Sequence, residues 1–249
     1  MPQDTTAARA TALRVLIAAH GQPSDPGPAA DALVAFAARV AGHLPAGARV
    51  AAATLAEPGA IDRAAAALGA GAAPILVYPM FMAPGWFTRS ALPARLAEAG
   101  LPETAVTILP PFGTEPDLPA LAEREIAAAL GTAGWSAGET RLLLAAHGSF
   151  KSAAPAEIAR AFAEGLVQRL GLAGAEAAFI DQAPQISGAR GWPERSLCLP
   201  FFAASGGHVE QDLPRALAEA RFPGPCLAPV GISSEAPALV AATLLRAAA

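Results

Sequence analysis

The feature that most constrains this chain is an internal repeat. Leu16-Ile-Ala-Ala-His20-Gly21 recurs as Leu143-Leu-Ala-Ala-His147-Gly148, 127 positions later. Pro79-x-Phe81-x-Ala83-x-Gly85 recurs as Pro200-x-Phe202-x-Ala204-x-Gly206, with Leu92-Pro93 under Leu213-Pro214, at an offset of 121. Pro111-x-Gly113 recurs as Pro229-x-Gly231 at an offset of 118, with Pro119 and Leu121 under Pro237 and Leu239. Three landmarks in one order, with a slowly shrinking offset, describe two copies of one unit and a few loop deletions in the second.

Each copy alternates short apolar runs with longer Ala-rich stretches. In the first, strands are predicted at Leu13–Ala19, Val50–Leu55, Pro74–Pro79 and Ala105–Leu109. Helices are predicted at about Ala29–Leu44, after Pro58, at about Thr88–Ala99 and at Pro116–Leu130. Gly131–Glu139 is glycine-rich and reads as a linker. In the second copy, strands are predicted at Arg141–Ala146, Ala175–Ile180, Ser196–Pro200 and Pro225–Pro229. Its helices are predicted at about Pro155–Leu170, Gln211–Arg221 and Ser234–Arg246. Uninterrupted apolar runs suit parallel strands covered on both faces, and the alternation suggests βαβ units in a doubly wound sheet. Two domains are therefore expected, 1–131 and 132–249.

Composition narrows the partners. The formal net charge is −4 and no basic stripe is visible, which argues against nucleic acid. No apolar run reaches the roughly 18 residues that span a bilayer. Met1–Thr11 is polar and lacks the apolar stretch of a secretory signal, so a cytoplasmic location is expected. The two cysteines, Cys198 and Cys226, form no CxxC and lie in apolar runs, which predicts both buried and inert.

In open parallel sheets, ligands sit beyond the carboxyl ends of the strands. His20 and His147 each end a first strand, and His208 follows the strand ending at Pro200. His147 and His208 thus belong on one ligand edge, where two imidazoles can hold a divalent transition metal or accept protons. Gly206 and Gly207 are expected to turn the backbone with positive φ and admit a ligand closely. The first copy has Phe87 in place of His208, beside Trp86, so His20 lacks that partner and the first copy contributes an aromatic wall. His43, late in a helix, reads as structural, and Asp212 reads as a helix-start carboxylate. Arg89, Arg95, Arg190 and Arg215 read as solvated. Gly134-Trp-Ser136-Ala-Gly138 fits G-x-S-x-G, but a linker precedes it and a strand follows, so a hydrolase using Ser136 is disfavoured. No nucleotide-binding glycine motif is present in the required context.

The His147-Gly148-Ser149 turn and the stretch Pro200-Phe-Phe-Ala-Ala-Ser-Gly206-Gly207-His208-Val209-Glu-Gln-Asp212-Leu-Pro214 resemble the class II tetrapyrrole chelatases, in their long duplicated form. The resemblance implies two chelatase-like (flavodoxin-like) α/β domains, each with a four-stranded parallel sheet, facing across a cleft that holds the macrocycle. It implies insertion of Co²⁺ or Fe²⁺ (Ni²⁺ also fits) into sirohydrochlorin or a related tetrapyrrole, in cobalamin or siroheme-type biosynthesis. A non-catalytic tetrapyrrole or metal binder of the same fold is the alternative. His147 and His208 would bind the metal, one also acting as base. Asp181 would be a third metal-site residue, where the family usually has Glu. His20, Ser149, Gly206, Gly207 and Phe87 would meet the substrate. The divalent metal is itself a substrate, no other cofactor is implied, and a monomer or homodimer is expected. This chain departs from the family in having the complete histidine pair in its second half, and in placing Phe150 and Lys151 after His-Gly-Ser, where Arg is common.

Overall fold

The computed structural model describes residues 12–69, 71 and 73–249. The polar segment Met1–Thr11 therefore lies outside the described residues. The first half holds strands β1 (Arg14–Ala19), β2 (Arg49–Thr54), β3 (Ile75–Pro79) and β4 (Val106–Ile108), and helices α1 (Pro26–Ala41), α2 (Ala60–Leu68), α3 (Leu92–Glu98) and α4 (Leu118–Ala133). The second holds β5 (Arg141–Ala146), β6 (Gly174–Phe179) and β7 (Ser196–Phe201), with α5 (Ala154–Leu170), α6 (Leu213–Ala220) and α7 (Ala236–Ala248). Both sheets are parallel, in the orders β2-β1-β3-β4 and β6-β5-β7. The chain is a tandem α/β protein, as the alternating pattern predicts.

The strands are apolar throughout because both faces are covered. Val15, Ile17 and Tyr78 face one way, while Leu16, Ala18 and Val77 face the other. The inward faces of both sheets join one core with α1, α4, α5 and α7. α2 and α3 cover the outer face of the first sheet, and α6 covers that of the second. Contacts pair α1 with α7 and α4 with α5. Each pair joins the first helix of one half to the last helix of the other, the arrangement that a twofold relation between repeats produces. Polar ties reinforce this seam. Tyr78 donates to the buried Glu115 at 2.7 Å, and Thr243 donates to the same carboxylate at 2.9 Å. Burial, then the Glu115 charge, pushes the Tyr78 phenol far above its usual range.

Three expectations change. Pro225–Pro229 is not a strand, so the second sheet has three strands rather than four. This segment meets β7 in a single bridge, Cys198 to Cys226. Pro223, Pro225 and Pro229 have no N–H to donate to a ladder. The predicted linker is partly helical, because α4 continues to Ala133. It stops in a Schellman motif, with Gly134 at φ 66°, Gly134 N bonded to Gly131 O, and Trp135 N bonded to Leu130 O at 3.0 Å. Cys226 is exposed rather than buried, because the segment that carries it is the open edge of the sheet.

The helices that follow β3 and β7 open unusually, with π turns at Phe87–Ala91 and His208–Asp212. Their i→i+5 bonds run from Leu92 N to Phe87 O and from Leu213 N to His208 O. Pro93 and Pro214 follow directly, and neither has an N–H for the carbonyl four residues back. The wide turn gives each ring room there, and such turns are frequent at functional sites.

Candidate metal and tetrapyrrole site

The carboxyl ends of both sheets open onto one cavity of about 620 Å³, lined from both halves. His20, Gln22, Met80 and Phe81 contribute from the first half, and His147, Phe202, Gly206, Gly207, His208 and Asp212 from the second. His147 and His208 are 61 residues apart in sequence, yet their Nε2 atoms are 3.0 Å apart. β5 ends at Ala146 and β7 at Phe201, on adjacent strands of one sheet. Gly148 takes φ 75° to make the turn after His147, and a Cβ there would lie 2.7 Å from Gln182 Cγ and 3.0 Å from Phe179 Cβ. Gln182 Oε1 in turn accepts from Ser149 N at 2.7 Å.

The outer nitrogens of both rings face acceptors only. His208 Nδ1 lies 2.8 Å from Asp212 Oδ2. His147 Nδ1 lies 3.1 Å from Gly148 O and 3.5 Å from Asp181 Oδ2. Acceptors on that side require the proton on Nδ1 of each ring. Both Nε2 lone pairs then point at one another across 3.0 Å. Two lone pairs at that distance repel unless a proton or a cation lies between them. Two nitrogens each about 2.0–2.1 Å from one metal ion, at 90–110°, are about 2.9–3.4 Å apart. The observed spacing therefore suits two neighbouring positions of one coordination sphere.

Asp181 faces the rear nitrogen of His147 rather than the Nε2 pair. Its carboxylate lies 3.5 Å from that nitrogen, a position from which it would orient the imidazole. Asp212, expected to serve only helix-start electrostatics, is the partner of His208. Arg215 fixes it, with Nη2 at 2.6 Å from Asp212 Oδ1. The i, i+4 spacing of His208 and Asp212 was the available signal, since residues so spaced share a helix face. Among the described residues, no group of three or more His, Cys, Asp or Glu side chains forms a metal-holding cluster. As a metal site the pair would supply two nitrogens and leave the other coordination positions open.

The other expected site residues divide. Gly206 and Gly207 line the cavity, but neither has positive φ. Gly207 is right-handed at φ −50°. Their lack of a side chain admits Gln22 from the other half, whose Oε1 accepts from Gly207 N at 3.4 Å, and a Cβ at Gly207 would lie 3.4 Å from Gln22 Nε2. The φ expectation fails because the π turn begins here in ordinary helical space. His20 lines the cavity. Partial burial, and secondarily the neighbouring His147, hold its pKa below the usual imidazole value. Phe87 does not line the cavity but packs behind two residues that do, on the His20 ring at a centroid distance of 4.2 Å and on Phe81 at 6.1 Å. Ser149 faces its own turn, where Oγ accepts from Lys151 N at 3.1 Å. Arg95 and Arg190 are tied to Glu98 and to Glu219 O. Ser136 is bonded to Glu139 at 2.7 Å, in the connection between halves.

The backbone bonds align the two sites residue by residue. Ala56 N donates to His20 O as Asp181 N donates to His147 O, each at 2.9 Å. The first half thus has Ala56 for Asp181, and its π turn has Phe87 for His208 and Ala91 for Asp212. Each side-chain partner of the histidine pair is replaced there by an apolar residue.

Tandem parallel α/β lobes, sharing one cavity with an open two-imidazole pair at its edge, define a class of two-lobed protein built to hold a ligand at the strand ends. The family model CbiX matches residues 14–129 and again 141–247. The chain belongs to the CbiX family of class II chelatases. One similar solved structure is CbiX, described as the terminal enzyme for biosynthesis of siroheme in denitrifying bacteria. It is 49% identical with a TM-score of 0.82, over 95% of this chain and 99% of that one. A second is DR2241 of Deinococcus radiodurans, a multi-domain protein with structural similarity to chelatases. It is 25% identical with a TM-score of 0.70, over 93% of this chain and 54% of that one. SirB of Bacillus subtilis with Fe³⁺ shares the fold at 14% identity and a TM-score of 0.72, over 96% of each chain. No curated protein matches the sequence. No helix among the described residues is long and apolar enough to cross a membrane.

Proposed function

We propose that this protein inserts a divalent metal, Fe²⁺ or Co²⁺, into sirohydrochlorin or a closely related tetrapyrrole. The observation that carries the reading is the 3.0 Å Nε2–Nε2 pair at the edge of a cavity lined from both halves. The 49% identical CbiX, a siroheme-forming enzyme by its description, supports this substrate class and favours iron. The complete site is that of the second half, and the first half shapes the cleft.

The chemistry follows from the two lone pairs. Insertion puts M²⁺ into the ring and releases two pyrrole protons. His147 and His208 hold the metal through Nε2, with Nδ1–H kept in place by Gly148 O, Asp181 and Asp212. As the metal passes to the macrocycle, its departure would again leave two lone pairs in opposition. One proton from the macrocycle relieves that repulsion when the rings share it, and the second leaves to water. The pair thus exchanges a metal ion for a proton, and its base strength appears where the proton is released. Imidazole nitrogens bind several first-row divalent ions, so supply decides among them.

The test is anaerobic. Metal-free protein is mixed with sirohydrochlorin and Fe²⁺ or Co²⁺, and the absorbance of the macrocycle is followed. The expected result is a metallation rate proportional to protein concentration and well above the protein-free rate. A spectral shift on binding with no acceleration would identify a tetrapyrrole carrier and overturn the chelatase reading.

Asp212→Asn tests the tautomer argument. An Asn amide can donate to Nδ1, which moves the imidazole proton to Nε2 and removes a metal lone pair. Metal affinity, read by calorimetric titration with Co²⁺, is expected to fall roughly 10–100-fold. An unchanged affinity would mean that the carboxylate serves only Arg215.

A further inference from the structure

The chain has two cysteines in 249 residues, and the fold sets them directly opposite one another. Cys198 N donates to Pro225 O at 2.9 Å, and Leu227 N donates to Cys198 O at 2.8 Å. In a parallel pairing these two bonds flank the opposing residue, so both thiols leave the same face of the sheet. Neighbouring strands lie about 4.7–4.9 Å apart, inside the roughly 4.4–6.8 Å Cα range that a disulfide can span. The two environments differ sharply. Cys198 is wholly buried within the outer core of the second half, and Cys226 is exposed at the sheet edge.

We propose that Cys198 and Cys226 form an oxidisable dithiol, in which Cys226 is attacked by a hydroperoxide and Cys198 resolves it to an intramolecular disulfide. The Cys226 thiolate attacks the terminal peroxide oxygen, giving a sulfenic acid and releasing water (or an alcohol). The Cys198 thiol then displaces the sulfenic hydroxyl as a second water, and the S–S bond forms. Two thiols are oxidised and one peroxide is reduced.

The asymmetry suits this division of labour. The neighbouring Cys198 thiol holds the Cys226 thiol below its usual pKa, while the same neighbour and burial hold Cys198 well above it. Reactive thiols of this kind are thiolate-prone, accessible and beside a resolving partner. Cys198 itself is closed to solvent, so the oxidant reaches it only through Cys226.

The bond would also pin the edge segment to β7 beside the proposed metal site. Gly231, five residues after Cys226, bonds Phe202 O at 2.9 Å and packs on Ala203, in the loop that leads to His208.

The experiment uses the full chain, metal-free, with wild type, Cys226→Ser and Cys198→Ala treated with equimolar hydrogen peroxide. Free thiols are counted after denaturation, and tryptic peptides are mapped by mass. Wild type is expected to lose both thiols and yield Ser196–Arg215 joined to Phe222–Arg246 with the loss of two hydrogens, reversed by dithiothreitol. Cys226→Ser is expected to keep its Cys198 thiol. Cys198→Ala is expected to carry added oxygen on Cys226, a reading that does not require wild-type stability. Oxygen addition on Cys226 in wild type without the joined peptide, a disulfide between chains, or two thiols surviving the treatment would each overturn the proposal.

Discussion

His208→Ala is expected to lower metal affinity, and with it the metallation rate, by roughly 10²–10⁴-fold. The reason is the pairing. With one Nε2 on the metal, the other is already 3.0 Å away and aimed at it. The second bond is therefore intramolecular, and such linkage multiplies affinity by roughly 10²–10⁴. His147→Ala is expected to lose a similar factor, since either variant leaves one imidazole. The double variant should be little worse than either single one, because groups that act as a unit are not additive. Calorimetry with Co²⁺ reads the affinities, and the anaerobic absorbance assay reads the rates. Losses that multiply in the double variant, or a loss below about threefold in either single one, would show that the rings do not share a metal.

His20→Ala is the internal contrast. His20 occupies the place of His147 in the first copy, but Phe87, Ala56 and Ala91 replace the groups that make the second site. Its removal is expected to leave metal affinity within about threefold and to act, if at all, through the shape of the cavity. Under the proposed function, this difference is what the divergence between copies predicts.

Much of this arrangement is legible in the chain itself, for identifiable reasons. The repeat landmarks survive because each meets a packing demand. His20-Gly21 and His147-Gly148 need positive φ beneath a strand-end side chain. Pro-x-Gly needs a residue without Cβ. Strand ends also place His147 and His208 on one edge before any coordinates are known. What was not legible is relational. Asp212 has a sufficient local explanation at a helix start, and its i, i+4 spacing from His208 signals a shared helix face without fixing the contact. The sequence position of Asp181 puts it beyond a strand end but cannot say which nitrogen of His147 it meets. The sequence suggests a positive-φ role for Gly206 and Gly207, whereas in the fold the bare backbone at Gly207 receives Gln22 from the other half. A strand that is apolar on both faces cannot announce which face meets the other repeat, so the shared core of α1, α4, α5 and α7 was hidden too. Pro225–Pro229 has the apolar character of a strand, and its missing N–H groups decide against it.

Gly231→Ala is expected to be strongly destabilising for so small a change. Gly231 has ordinary negative φ, so alanine meets no backbone penalty there. The cost is steric: a Cβ would lie 2.1 Å from Ala203 O and 2.3 Å from its carbonyl carbon. Both atoms are backbone, in the segment that connects β7 to His208, so no side chain can rotate aside. Relief requires the Gly231 N to Phe202 O bond, now 2.9 Å, to lengthen or the loop to move. Overpacking of this kind costs about 1–3 kcal/mol. For a chain of this size each kcal/mol lowers Tm by about 2–4 °C, so a fall of about 2–12 °C is expected by calorimetry. Gly113→Ala should behave alike, since its Cβ would lie 2.0 Å from Met82 O at the equivalent place. Gly165→Ala is the control. It sits inside α5 with nothing within 4 Å, and alanine is the better helix former by about 0.5–1 kcal/mol. Its Tm should rise slightly. The two costly variants differ in one further respect. Gly231→Ala displaces the loop that carries His208 and should weaken metal binding as well as the fold. Gly113→Ala disturbs the loop that carries Phe87 and should leave metal affinity near wild type. Equal losses of metal affinity in both would contradict the asymmetry between the two copies.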